Sequence, residues 1–261
     1  MKIATWNINS IKVRLPAVIQ YLEETAPDVF ALQETKALDE NFPEKEIKKL
    51  GYSCIFTGQK TYNGVAIISK TKPLEVELNP VTTSENEKRS IAATYSGIKV
   101  LNLYVVNGQD IGTPKYQYKL RWLKALLEYA SSITKEHTKI VILGDFNIAP
   151  TDNDVFDIEA TKEQILCSSE ERDILKELKK IGLNDLFLNF NYPPKTFSWW
   201  DYRGGAFHRN IGYRIDLILG SKLIAGTCSK VYIDKETRHK SWCKKEPRTS
   251  DHAPVVAVFE E

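Results

Sequence analysis

Carboxylates, amides and a histidine stand at the ends of apolar runs along this chain. Asn7 and Asn9 flank Ile8 after Thr5-Trp6, and Glu34 follows Val29-Phe30-Ala31-Leu32-Gln33. Asp145 and Asn147 follow Ile140-Val141-Ile142-Leu143-Gly144, Asp216 lies in Arg214-Ile215-Asp216-Leu217, and Asp251-His252 opens the last apolar stretch. A carboxylate beside a buried strand is costly unless it is paired or holds a metal. Repetition of that cost in one chain points to a single polar site built from strand ends, the footprint of a metal-assisted hydrolase.

Each group has its own chemistry. Glu34 is a hard oxygen donor suited to Mg²⁺, although alone it also reads as an ordinary surface glutamate. Gly144 permits a sharp turn, so Asp145 and Asn147 can face one cleft. There Asp145 can orient or deprotonate a water and Asn147 can donate to charge developing on a phosphoryl oxygen. The same two residues also suit a plain Asx turn. His252 can shuttle a proton or donate to a phosphate near neutral pH, and Asp216 is a candidate partner for it. As base, Asp145 and His252 are equally eligible.

The elements that must position these groups are legible as short apolar runs. Strand patterns cover 3–8, 29–33, 52–57, 64–69, 91–95, 100–106, 140–143, 215–219, 227–233 and 254–259, many of them continuously apolar, as in strands covered on both faces. Between them, Pro16 suits a first helical turn followed by Val18, Ile19 and Leu22. Leu120, Leu123, Leu127 and Ala130 make an apolar helical stripe. A capping box at Ser168-x-x-Glu171 starts a helix that carries Ile174, Leu175 and Leu178 and stops at Gly182. No linker or fixed-period repeat divides residues 1–261, so two packed sheets with outer helices in one domain is the expected α/β architecture.

A composition of 42% hydrophobic and 27% charged residues suits a soluble enzyme. No apolar run approaches the roughly 20 residues needed to span a bilayer, and the N-terminus carries no signal-peptide pattern, so a protein that engages no membrane is expected in the cytoplasm, or in a compartment reached without a cleaved leader. Cys54, Cys167, Cys228 and Cys243 are scattered without a C-x-x-C pair, which predicts reduced thiols and no zinc site. The net charge of +2 says little about nucleic acid. Lys235, Arg238, Lys240, Lys244, Lys245 and Arg248, however, cluster just before Ser250 and suggest a grip on a polyanion rather than a merely solvated run.

Taken together in this order, Glu34, Gly144-Asp145-Phe146-Asn147, Arg214-Ile215-Asp216 and Ser250-Asp251-His252 make the chain resemble the exonuclease III family of apurinic/apyrimidinic endonucleases, over essentially its whole length. Gln33-Glu34-Thr35-Lys36, Tyr104-Val105-Val106-Asn107-Gly108 and Phe197-Ser198-Trp199-Trp200-Asp201-Tyr202-Arg203 favour this DNA-repair branch over the phosphoinositide phosphatases and sphingomyelinases of the wider endonuclease/exonuclease/phosphatase superfamily. An assay on an abasic duplex beside an inositol phosphate separates those two readings, and metal-dependent turnover excludes a non-catalytic DNA-binding module.

The resemblance implies a four-layer, DNase-I-like α/β sandwich of two mixed sheets flanked by helices. It implies a monomeric phosphodiesterase dependent on Mg²⁺, with Mn²⁺ as an alternative, acting on double-stranded DNA with abasic sites or blocked 3′ ends. Asn7, Glu34, Asp145, Asn147 and Asp251 would hold the metal. Tyr104, Asp145, Asn147, Asp216 and His252 would carry the catalysis. Asn9, Lys12, Lys36, Tyr62, Arg89 and Asn107 would contact DNA, and Trp199, Tyr213 and Ile215 would wall the pocket for a flipped-out abasic sugar. Two departures stand out. Val106 replaces the proline of the family's Tyr-x-Pro-x-Gly turn, which predicts a less rigidly held Tyr104, and the segment before Ser250 is long and basic.

Overall fold

A computed structural model describes residues 1–245 and 249–260. In chain order the elements are β1 (Lys2–Asn7), α1 (Ile11–Thr25), β2 (Val29–Gln33), α2 (Glu44–Lys48), β3 (Ser53–Thr57), β4 (Val65–Ser69), β5 (Leu74–Leu78), β6 (Ser90–Tyr95) and β7 (Ile98–Tyr104). There follow α3 (Pro114–Glu136), β8 (Ile140–Asp145), α4 (Ile158–Thr161), α5 (Ser169–Lys180), β9 (Asn184–Asp185), β10 (Asp216–Gly220), α6 (Lys222–Thr227), β11 (Cys228–Ile233) and β12 (Val255–Phe259).

The strands form two six-stranded sheets, ordered β11-β12-β1-β2-β4-β3 and β5-β6-β7-β8-β10-β9. In each, one parallel pair (β1 with β2, β7 with β8) is embedded among antiparallel neighbours. Ile3, Ala31 and Ile67 of one sheet meet Val100, Val141, Leu143 and Ile218 of the other in a common apolar layer. A polar staple crosses that layer beside the site. Gln33 Nε2 donates to Asn102 Oδ1 at 2.7 Å, and Asn102 Nδ2 donates to the carbonyls of Leu32 and Ala66 at 3.0 and 2.9 Å. These bonds fix the register of one sheet on the other, although Gln33 Oε1 is buried without a hydrogen-bond partner among the described residues.

Helices cover both outer faces, which is the four-layer sandwich expected. Val18, Tyr21 and Leu22 of α1 pack on Trp6 and Phe30. On the other side, Trp122, Leu123 and Leu126 of α3 and Leu178 of α5 pack on Leu101, Leu103 and Ile142. Burying one such leucine stabilises the fold by about 1.5–3 kcal/mol. The capping box of α5 forms as expected, with Ser168 Oγ accepting from Glu171 N at 3.3 Å and Glu171 Oε2 from Ser168 N at 3.0 Å.

Three expectations need correction. Pro16 lies inside α1 and not in its first turn, because the helix begins earlier. The N–H groups of Ser10 and Ile11 are taken by the carbonyls of Glu34 and Thr35 at 2.7 and 3.0 Å, which caps the helix from the loop after β2. The edge strand β5 departs from the sequence pattern, since Glu75 and Glu77 alternate with Leu74, Val76 and Leu78 in a polar, solvated segment. The basic run is not uniformly free: Arg238 is buried, 5.0 Å from the Phe207 ring, whereas Lys240, Lys244 and Lys245 are exposed. Arg248, the last cation of that run, lies outside the described residues. All four cysteines are free, as their spacing predicts.

Candidate active site

The C-terminal ends of the parallel pairs and the N-terminal ends of their antiparallel neighbours β10 and β12 deliver the polar groups to one edge of the sandwich. Asn7 ends β1, Glu34 follows β2, Asp145 ends β8, Asp216 opens β10, and His252 precedes β12. Gly144 makes the exit from β8 possible. Its φ is +138°, and a Cβ there would stand 1.9 Å from the carbonyl oxygen of Leu103. Asn9, Ser10, Glu34, Lys36 and Asn147 also take positive φ, each at a cost of about 1 kcal/mol for a non-glycine residue. Such strain persists where surrounding structure holds it for function.

The side chains interlock. Asn7 Nδ2 donates to Glu34 Oε1 and to Asp145 Oδ2, both at 2.8 Å. Asp145 Oδ1 accepts from Asn147 N at 2.9 Å, and Asn147 Nδ2 donates to Val105 O at 2.9 Å. His252 Nδ1 meets Asp216 Oδ2 at 2.9 Å, while its Nε2 faces Asp145 Oδ2 at 3.8 Å. Ser198 Oγ donates to Asp216 at 2.6 Å and accepts the backbone N–H of Asp216 itself, so the carboxylate cannot swing away from the imidazole.

Electrostatics follow from burial and crowding. Burial pushes the Asp145 carboxyl up, His252 pulls it down, and nearby Asp216 and Glu34 push it up further, to about 7. Burial would lower the His252 imidazole, but Asp216 and then Asp145 outweigh it and raise it to about 10. The Tyr104 phenol is held well above its ordinary range by burial and by Glu34 and Asp145, so it stays protonated and able to donate. Asp251 is disfavoured as an anion by burial, yet His252 and hydrogen bonds from Trp199 and Asn9 hold its carboxyl below the usual range.

The donor chemistry fits a divalent cation. Glu34 and Asp145 offer carboxylate oxygens that, with a ring nitrogen of His252, all lie within 4.8 Å of one another; the carboxylates are the candidate ligands, since the protonated imidazole has no free lone pair. Burial above all raises the Asp145 carboxyl, with Asp216 and Glu34 adding to it; a cation bound there would offset that cost, and oxygen donors of this kind suit hard ions. Asp251 is not in that tight group. Its carboxylate accepts from Trp199 Nε1 at 3.0 Å and Asn9 Nδ2 at 3.1 Å.

The remaining expected residues fall into three positions. Lys36 touches the cluster, 2.8 Å from Glu34, and donates to Asn9 Oδ1 at 2.6 Å. Asn107 donates to Asn147 Oδ1 at 3.1 Å. Lys12 of α1 is exposed and lines a surface hollow with Lys36, and Tyr62 is exposed on the loop between β3 and β4. Arg89 is buried, its guanidinium 4.8 Å above the Tyr104 ring and 2.6 Å from Glu87. That contact, with Val105 N bonded to Asp145 O at 2.9 Å, holds Tyr104 without the missing proline. Trp199 and Tyr213 stand 5.8 Å apart, backed by Ile215, which is almost wholly buried. Trp200 is core, against Phe207.

Several supporting residues have roles that a reading of the sequence does not assign. Ser198 lies within the Phe197–Arg203 motif but carries no sign there of its bond to Asp216. Buried Lys119 pairs with Glu171 and donates to Asn147 O at 2.7 Å; a lone lysine in an apolar helical stripe is the available hint. Arg214 joins Asp154 and Asp185 at 2.6 and 2.7 Å. Arg14 donates to Asn9 O and, at 3.0 Å, to the Tyr202 hydroxyl.

Comparison with known proteins gives a consistent set. The model of the Endonuclease/Exonuclease/phosphatase family matches residues 4–252. The chain is 34% identical to exodeoxyribonuclease III of Haemophilus influenzae, covering 99% of this chain and 100% of that one. Among solved structures it is similar to the 3′ phosphatase NExo from Neisseria, a point variant bound to a product DNA hairpin, at 43% identity and TM-score 0.95. It is also similar to an AP endonuclease from Archaeoglobus fulgidus, at 36% identity and TM-score 0.93. Each of these two covers 100% of both chains.

Proposed function

The chain belongs to the Endonuclease/Exonuclease/phosphatase family and is a divalent-metal-dependent DNA-repair nuclease with 3′-processing activity; from that premise we propose how its residues divide the work of hydrolysis. The observation that carries the reading is the meeting of Glu34, Asp145 and His252 within 4.8 Å, with His252 anchored on Asp216. Asp145, its carboxyl raised toward neutrality, accepts the proton of the attacking water. His252, kept cationic by its two carboxylate neighbours, donates through Nε2 to a phosphate oxygen. Asn147 and the protonated Tyr104 add neutral donors where charge develops in the transition state.

Glu34, Asp145 and the amide of Asn7 would hold the cation, with Asn147 and Asp251 at its margin, and Mg²⁺ is the hard ion such donors favour, with Mn²⁺ as substitute. When bound, it supplies charge neutralisation on the phosphoryl group. Lys12, Lys36, Tyr62 and Asn107 line the path for the DNA strand, Asn9 orients Lys36, and Arg89 acts through Tyr104. The Trp199–Tyr213 wall, backed by Ile215, receives an abasic sugar or a blocked 3′ terminus, because a residue without a base costs less to extrude. Residues 1–261 act as one domain and as a monomer, in the cytoplasm; among the described residues no helix is long and apolar enough to cross a membrane.

Endpoint assays on three duplexes test this. With Mg²⁺, incision 5′ to an internal abasic site and release of a 3′ phosphate are expected, together with trimming of a recessed normal 3′ end. Cleavage of none of the three would overturn the assignment.

A further inference from the structure

Outside the Glu34–Asp145–His252 cluster, a cavity of about 880 Å³ opens between the segment after Trp200 and the loop that follows Arg238. Arg14, Arg238 and Lys240 line it. Its one carboxylate among the described lining residues, Asp201, is already engaged by Arg203 at 2.9 Å. Arg238 is pinned in place, with Nη1 donating to Ser250 O at 2.7 Å and its guanidinium stacked near Tyr202 and Phe207 at 5.6 and 5.0 Å. Both Arg14 Nε and Arg238 Nε are buried without a hydrogen-bond partner among the described residues. Two flat rings, Tyr202 (51% exposed) and the partly exposed Phe207, complete the wall.

Excess cationic charge beside aromatic faces is the chemistry that holds a nucleotide: phosphate on the cations, base on the rings. A base within a duplex is stacked and paired and would have to be extruded at a cost of a few kcal/mol, so the fitting ligand is one already unpaired. The cavity's place narrows it further. Arg14 also grips Asn9 O, Asn9 bonds Asp251, and lining residue Thr249 stands two positions before Asp251. These bonds tie the cavity's lining to Asp251, beside His252.

We propose that this cavity is a subsite for an unpaired nucleotide of the DNA substrate next to the cleaved bond, its phosphate on Arg14 and Lys240 and its base against Tyr202 and Phe207. The proposal rests on the nuclease reading above. It deepens that reading by assigning a preference for frayed or mismatched ends.

The test measures kcat/KM in Mg²⁺ on two duplexes bearing a 3′ phosphate, one fully paired and one whose last two nucleotides are unpaired. The wild-type chain is expected to favour the unpaired end about 10-fold, within the range that base–aromatic stacking supplies. Phe207→Leu, which keeps apolar volume beneath Arg238 but removes the flat face, is expected to bring that ratio below about threefold, as is the exposed variant Lys240→Ala. Because both substrates are cleaved by the same preparation, the ratio is insensitive to partial misfolding. A wild-type ratio of one, or a ratio unmoved in both variants while both substrates are cut, overturns the subsite and leaves the nuclease reading standing. Failure of the wild type on both substrates removes the nuclease reading and the subsite with it.

Discussion

At the scale of single residues, the division of labour between Asp145 and His252 is the part of the site most open to measurement. Asp145→Asn keeps shape while removing the charge and the basic lone pair. In single-turnover assays at saturating enzyme, hydrolysis should fall on the order of 10²–10⁴-fold with DNA affinity retained. A rate within about threefold of wild type would remove Asp145 from the chemistry. Metal binding should report the same carboxyl. Its pKa is raised to about 7, so below that pH a proton must leave before Asp145 can ligate. Apparent affinity for Mg²⁺ should therefore climb with pH up to about 7 and level off above it, with proton release seen by calorimetry in buffers of different ionisation enthalpy. Affinity flat from about pH 5.5 to 8.5 would contradict the raised carboxyl. Glu34, Asp145, Asn147 and His252 are legible in the sequence because each interrupts an apolar run where a carboxylate or imidazole needs a reason. The role of Ser198 is not, because a serine that locks Asp216 through its carboxylate and its backbone N–H looks like any loop serine until the strands are folded.

At the scale of elements, helix α3 does more than cover a sheet. The Lys119–Glu171 pair is fully buried and ties α3 to the start of α5. The same ammonium holds the carbonyl of Asn147 at 2.7 Å and that of Asn107 at 3.1 Å. Removing one partner of a buried pair leaves the other charge uncompensated. Lys119→Met should thus cost about 3–5 kcal/mol in denaturant unfolding and slow hydrolysis through a loosened Asn147. Stability within about 1 kcal/mol of wild type would mean that the pair is dispensable. The continuous apolar strands and the Ser168-x-x-Glu171 box are readable, since period and capping are local signals. The start of α1 is not, because its N–H groups are satisfied by Glu34 and Thr35 across the sheet, a tertiary contact that no local pattern around Pro16 encodes. Strand β5 is hidden for the opposite reason. Its side chains are mostly exposed, and pairing with β6 alone makes Leu74–Leu78 a strand.

At the scale of the molecule, a net charge of +2 conceals a local field. Lys36 pairs with Glu34 and shares a surface hollow with Lys12, and Lys240, Lys244 and Lys245 sit on the loop before Ser250. Neutralising those three loop lysines together should reduce the slope of log affinity for duplex DNA against log salt by up to about 3, since each phosphate contact contributes close to one. An unchanged slope would make the loop a solvated run. The sequence marks this loop as basic without saying which cations face outward. The structure divides them, turning Arg238 into the aromatic core around Trp200 and leaving Lys240 exposed.

The central claim is that Glu34 and Asp145 hold a divalent cation without which the phosphate ester is not hydrolysed. Its most direct test is release of phosphate from a duplex with a 3′-phosphorylated end, followed for the wild-type chain in excess chelator, after Mg²⁺ is restored, and for Glu34→Ala at saturating Mg²⁺. The expected result is no release in chelator, full recovery with Mg²⁺, and a loss on the order of 10²-fold or more in Glu34→Ala. Undiminished release in excess chelator, or a fully active Glu34→Ala chain, would contradict it.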